Sequence, residues 1–302
     1  PPPPAASRRR PSMVGYVEDA DVSTMVRVRF DAGFGMSAPD RAEFFYAKCG
    51  CYRGLPADSP AFDPNAPGPG PGIVTNLNFQ ELYIRGEYAP IAGRVSAFAE
   101  LPFRFIQPDT FVAGTGSFGS QSGISDLRFG VKGGLVSTPR RQLTVSFQVT
   151  TPTGDAGKGL GTNHTSVEPA LLYLEHPADR FTVEAELGEV FPIGGSAGIP
   201  TAGPDKFAGH VMYFGAGPSY EVYRSARVTV APVVELVGWW VRSGFDTSVL
   251  GPADGTKVVN LKVGARVLAG GNSFYVGYGH ALTSNDWYDN ILRIEYRVNW
   301  PR

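Results

Sequence analysis

The sequence predicts an all-β protein, a single closed antiparallel up-and-down transmembrane β-barrel of about twelve strands. Three observations predict it. Apolar and polar residues alternate over stretches of roughly ten residues, the length a tilted strand needs to cross a bilayer. The connections between these stretches are long and short by turns, as in barrels with short periplasmic turns and longer outer loops. No run approaches the roughly 18 apolar residues of a membrane helix, so any crossing is made by strands.

Composition agrees. The chain of 302 residues holds 38 Gly and 26 Pro, is 12% aromatic and only 18% charged, which suits many strands joined by turns. A net charge of -1 leaves no electrostatic footprint for nucleic acid.

Residues 1–20 form a proline- and arginine-rich arm ahead of a barrel spanning 21–302. Pro1 to Pro4 favour polyproline II, and Arg8, Arg9 and Arg10 read most simply as solvated. A sharper reading makes the arm a tether to a partner or a plug in an acidic lumen. The first strand is expected near Val22 to Phe34, with Val26, Val28 and Phe30 opposite Arg27, Arg29 and Asp31. Residues 35–72 lack sustained alternation and read as a long outer loop, with a short ordered piece near Phe44 to Lys48. Within it, Cys49 and Cys51 are the only cysteines, read as thiols or a disulfide, with a metal pair the least favoured option.

Alternation then recurs. Leu82, Ile84 and Tyr88 oppose Glu81, Arg85 and Glu87; Val95 to Phe105 oppose Arg94, Glu100 and Arg104; Leu127 to Leu135 oppose Asp126, Arg128 and Lys132. Leu143 to Val149 follow a tight turn at 138–141, and Phe181 to Phe191 oppose Glu184 and Glu186. Val228 to Trp240 oppose Glu235, Val259 to Val267 oppose Lys262 and Arg266, and Phe274, Val276 and Tyr278 oppose Tyr275, Gly277 and Gly279. Two strands, near Thr165 to Leu174 and His210 to Val222, alternate too poorly to fix a register. The final strand, Asn290 to Trp300, alternates best, with Leu292, Ile294, Tyr296 and Val298 opposite Arg293, Glu295 and Arg297.

Periodicity alone does not say which face is inside. Aromatics near the strand ends (Tyr88, Phe105, Phe191, Trp240, Phe274, Trp300) read as an interfacial girdle, and Gly130, Gly264, Gly277 and Gly279 in the charged rows read as a crowded interior. Apolar rows are therefore expected to face lipid, and a soluble sandwich is the competing reading. The pore-lining candidates are then Arg27, Arg29, Glu81, Arg85, Glu87, Arg94, Glu100, Arg104, Asp126, Arg128, Lys132, Glu184, Glu186, Glu235, Lys262, Arg266, Arg293, Glu295 and Arg297. Acids and bases nearly balance, which favours ion pairing across the lumen over a one-sign selective ring.

The closing strand with its terminal aromatic resembles the C-terminal signature of bacterial outer-membrane barrels. Gly123-Ile-Ser-Asp-Leu-Arg-Phe-Gly-Val-Lys132 and Thr151-Pro-Thr-Gly-Asp155 resemble the transporter-like family described as "putative MetA-pathway of phenol degradation", over Gln80 to the C-terminus. That resemblance implies a Gram-negative outer-membrane barrel with both termini periplasmic and a role in passage of small molecules, apolar or aromatic ones among them. His164-Thr165-Ser166 resembles the His-x-Ser of outer-membrane phospholipase A, without that enzyme's asparagine context. No catalytic, metal-ligating or cofactor-binding residue is assigned. The expected partners are lipid, a small-molecule substrate, and proteins at the 35–72 loop and the arm. A channel or transporter is the first functional expectation, and a scaffold component of a cell-surface assembly is the second.

Overall fold

The computed structural model describes residues 11–41, 45–59, 62–194, 207–246 and 251–300. Among them twelve strands close into a barrel: β1 (Met25–Met36), β2 (Val74–Ile91), β3 (Val95–Phe111), β4 (Arg128–Ser137), β5 (Arg141–Thr150), β6 (Thr165–Ala178), β7 (Phe181–Ile193), β8 (Val211–Tyr220), β9 (Val228–Val241), β10 (Lys257–Ala269), β11 (Asn272–Ala281) and β12 (Asn290–Asn299). Each strand pairs antiparallel with its neighbours in the chain, and β12 pairs with β1 from Met25–Asn299 to Phe34–Asn290, so no edge is left open. The connections 92–94, 138–140, 179–180, 221–227 and 270–271 lie at one end, with the start of β1 and the end of β12. The longer connections lie at the other.

The faces are inverted relative to a water-soluble protein. In β12, Ile294 and Tyr296 are 37% and 45% exposed, whereas Glu295 and Arg297 are 1% and 3% exposed. The same holds around the ring, where Val131, Phe147, Leu187, Leu236, Val263 and Val276 point outward. Only a hydrocarbon surround makes such an arrangement favourable, because water would leave this belt unburied while the ions carry a desolvation cost. Tyr88, Phe105, Phe274 and Trp300 are exposed on the same outer surface; Phe191 and Trp240 are half-buried.

The two strands of uncertain register are β6 and β8. In β6 the lumen row is Ser166, Glu168, Ala170, Leu172, Leu174 and His176, and in β8 it includes Val211, Tyr213 and Gly215. Both rows are apolar in part because something apolar packs against them inside the barrel. For Val211 and Tyr213 it is a cluster with Val190, Val241, Ala253 and Trp287; for Leu172, Leu174 and Gly215 it is the chain's own N-terminal segment, through Ala20 and Val17. That segment also explains why β1 starts at Met25, later than the alternation from Val22 suggests.

The interior is tightly filled around Tyr275 of β11. Tyr275 is fully buried, and a Cβ at Gly264 or Gly277 would collide with its ring. Glycine at both positions is what admits a tyrosine into a row otherwise reserved for small residues.

Candidate functional site

Residues 12–22 lie inside the barrel. The segment rises from the short-turn end to an apex at Tyr16, whose hydroxyl donates to the carbonyl oxygens of Gly277 (3.2 Å) and Ile291 (3.4 Å), and then returns to Val22 beside Gly93. Its backbone N–H groups meet carboxylates. Met13 and Val14 donate to Glu184 Oε1 at 2.7 and 3.2 Å, Gly15, Tyr16 and Val17 donate to Glu235 at 3.1, 2.9 and 2.8 Å, and Glu18 donates to Glu186 at 2.9 Å. Its carbonyls meet cations: Arg266 donates to Met13 (2.9 Å) and Val14, Arg293 to Gly15 (2.7 Å) and Lys132 to Asp19 (2.7 Å). The N–H groups of residues 13–18 and the carbonyls of Met13, Val14, Gly15 and Asp19 thus find partners without sheet pairing.

Side chains repeat this two-sidedness. Glu18 lies 3.1 Å from both Arg85 and Lys132 and 3.3 Å from Arg27, and Asp19 pairs with Arg297. Val14 and Val17 pack on Val233, Val237 and Tyr275, while Ala20 packs on Leu172 and Leu174.

The reason is the distribution of charge around the wall. Strands β6 to β9 contain no Lys or Arg and present Glu168, Glu184, Glu186 and Glu235 to the lumen. Arg27, Arg29, Arg85, Arg104, Arg128, Lys132, Lys262, Arg266, Arg293 and Arg297 stand on β10 to β12 and β1 to β4. Acids stand on both sides of the lumen, but the bases stand on one side only and outnumber the acids there, so the lumen carries a transverse field, and the segment's peptide groups align with it.

Most of the predicted pore-lining residues meet in this network. Arg293 holds Asp31 at 2.6 and 2.7 Å; Arg104 holds Glu81 at 2.7 Å; Arg27 reaches Glu100 at 3.1 Å; Arg85 and Lys132 reach Glu87 at 3.2 and 3.4 Å; and Arg266 and Arg297 share Glu295 at 2.9 and 3.0 Å. Arg94 does not join them. It lies exposed in the turn between β2 and β3.

Asp126 has a different task. Its carboxylate accepts from the N–H of Gly154 (2.9 Å) and from both the N–H and hydroxyl of Thr162 (2.7 Å each). A Cβ at Gly161 would strike that carboxylate, and one at Gly154 would come within 3.0 Å of it. The two short motifs around Asp126 and Pro152 to Asp155 are therefore one device, which seals the wall where β4 stops short and Gln121–Ile124 takes over pairing with β3.

Above the N-terminal segment remains a cavity of about 320 Å³. Glu18 and Glu186 form its floor, Arg29, Tyr83, Arg128 and Glu168 its walls, and Phe45, Trp287 and Tyr288 its roof. Phe45 belongs to the 37–73 connection, which folds over the mouth: Arg104 donates to the Phe45 carbonyl, and Ala47 N–H donates to Gly161 O at 3.0 Å. Lys48 is fully buried there, 3.5 Å from Asp63; burial pushes its ammonium pKa below the ordinary range, although Asp63 pulls it back. Cys49 and Cys51 are joined by a disulfide and pack with Tyr52, Phe207 and Phe245. His164 Nδ1 lies 2.9 Å from the Thr162 carbonyl oxygen, and the Ser166 hydroxyl points at Glu168, 3.4 Å away. Arg8 to Arg10, Phe44 and the last two residues lie outside the described residues.

Alternation alone missed Tyr16, Glu18, Asp19, Tyr213, Trp239 and Tyr288. A signal was present in the apolar lumen positions Leu172, Leu174, Val233 and Val237, which need an apolar object inside the barrel.

This geometry defines a protein of the bacterial outer-membrane β-barrel class, with an occupied lumen. The chain belongs to the family "Putative MetA-pathway of phenol degradation", whose profile matches residues 72–290. Among solved structures it is similar to an outer membrane channel from Pseudomonas putida F1, at TM-score 0.56 and 14% identity over 95% of this chain and 99% of that one. It is also similar to the beta domain of the Bordetella autotransporter BrkA, at TM-score 0.50 and 13% identity over 92% and 100% of the two chains. No curated protein matches it.

Proposed function

We propose that this barrel conducts small molecules across the outer membrane, and that residues 12–22 are the gate. The observation that carries this reading is how the segment is held. It fills a charged lumen through hydrogen bonds, ion pairs and a few valine and alanine contacts, with no strand pairing or covalent tie to the wall. Such contacts can be exchanged for water and ions one at a time, whereas a barrel meant only as an anchor needs no polar lining around its occupant. Membership of the family and likeness to a channel support the same reading.

The test is single-channel recording in planar bilayers. Glu235→Gln weakens the acceptor for three consecutive N–H groups, those of Gly15, Tyr16 and Val17, so open probability is expected to rise severalfold over wild type. A protein that stays silent in both forms would exclude conduction.

A further inference from the structure

We infer that the cavity above the gate contains an anion subsite made by Arg29 and Arg128, and that its ligand is a small aromatic carboxylate. The inference rests on the reading of this lumen as a path for small molecules, and adds the chemical class.

The other arginines of the network each hold a carboxylate at 3.1 Å or closer. Arg293 donates to both Asp31 oxygens and to Gly15 O; Arg266 donates to Met13, Val14 and Ser273. Arg29 and Arg128 are different. Arg29 makes no hydrogen bond to any described residue, and its nearest carboxylates are Asp31 at 3.4 Å and Glu100 at 3.8 Å. Arg128 makes a single long one, at 3.4 Å to Glu100, and its side chain is 25% exposed to the cavity. Both nominal partners are shared: Glu100 also serves Arg27 at 3.1 Å, and Asp31 is held on both oxygens by Arg293. Glu168 faces the cavity too, but it already accepts from Gln148 at 3.0 Å and Thr150 at 2.9 Å. Two guanidinium groups thus line one cavity with most of their donors unspent, a situation that calls for an added acceptor.

Tyr83 sets the pair. The Arg29 guanidinium lies over its ring at 3.9 Å and that of Arg128 at 5.4 Å, and the Tyr83 hydroxyl is anchored on Glu81. The fork geometry of two arginines favours a carboxylate, which can accept from both. The rest of the cavity is aromatic, with Phe45, Tyr213, Trp239, Trp287 and Tyr288, and its volume of about 320 Å³ holds one ring with a short substituent.

The test titrates the full chain in detergent with 4-nitrobenzoate, with 4-nitrobenzyl alcohol as the neutral control. Quenching of tryptophan fluorescence reports occupancy, because Trp239 and Trp287 line the cavity. The expected result is saturable quenching at least about tenfold tighter for the carboxylate, a loss of about tenfold in Arg128→Gln, and recovery of most of it in Arg128→Lys. Arg29→Gln should lose as much, with heat-modifiable gel migration certifying its fold; if that variant fails to fold, Arg128→Gln decides alone. Equal affinity for acid and alcohol, or an unchanged Arg128→Gln, overturns the subsite. Conductance recorded in parallel separates the two readings: a conducting protein without acid preference loses the subsite and keeps the channel, and a silent protein that binds 4-nitrobenzoate keeps the subsite and loses conduction.

Discussion

Arg293 on β12 grips Asp31 on β1 by two parallel bonds, Nε to Oδ1 at 2.6 Å and Nη2 to Oδ2 at 2.7 Å, across the strand pair that joins the two ends of the chain. Its remaining Nη1 donates to the carbonyl of Gly15 at 2.7 Å. One side chain therefore ties the closing seam of the barrel to the N-terminal segment in the lumen. Replacing it with Met leaves Asp31 buried with only the 3.4 Å contact to Arg29. Arg293→Met is expected to cost about 3–5 kcal/mol in urea unfolding of the barrel in lipid. An unshifted unfolding midpoint would show that the seam does not depend on this pair.

Val131 is outward-facing on β4 and 51% exposed. Arg at that site is expected to destabilise the lipid-inserted barrel by about 2–4 kcal/mol, as a cation on the hydrocarbon-facing surface does. If refolding into vesicles instead tolerates Val131→Arg within about 0.5 kcal/mol, the outer belt does not face lipid.

Asp126→Ala removes the acceptor of three hydrogen bonds to Gly154 and Thr162. The expected loss is about 2–4 kcal/mol, accompanied by new protease cleavage within residues 151–164. Intact protection of that loop would argue against Asp126 as its anchor.

Lys48 gives the mouth cover a pH dependence. Its pKa is lowered by burial, so below the usual lysine range the unfolded cover holds a proton more readily than the folded one, and stability rises as pH climbs towards about 10.5. Between pH 7 and 10 the wild-type cover should gain thermal stability relative to Lys48→Met, whose melting temperature should stay flat by comparison. Parallel melting curves across that range would contradict the assignment.

Much of this was legible from alternation. In β12, β3 and β10 a strict two-residue period set both the strand and its facing, because one side meets lipid and the other meets ions. The same rule failed for β6 and β8, where Leu172, Leu174, Val211 and Tyr213 belong to the lumen row; alternation assumes a polar interior, but Ala20 packs on Leu172 and Leu174, and Trp287 and Ala253 of the long connections cluster with Val211 and Tyr213. Counting charges concealed the field as well. The absence of Lys and Arg from β6 to β9 is visible in the residues, but its meaning appears only when those strands close opposite Arg27, Arg85 and Arg293. Arg94 fitted the inward row and lies in a turn, since β2 and β3 meet sooner than the pattern suggests.

The proposal that residues 12–22 gate the barrel is tested most directly by locking the segment in place. A Cβ placed at Gly215 would sit 2.8 Å from Val17 Cγ2, so Val17→Cys with Gly215→Cys, in a Cys49→Ser, Cys51→Ser background, can tie the segment to β8. The account predicts that the oxidised protein is silent in planar bilayers and that reductant restores the channel steps of the background protein. Equal conductance in the oxidised and reduced states, with the bond verified by mass spectrometry, would contradict it.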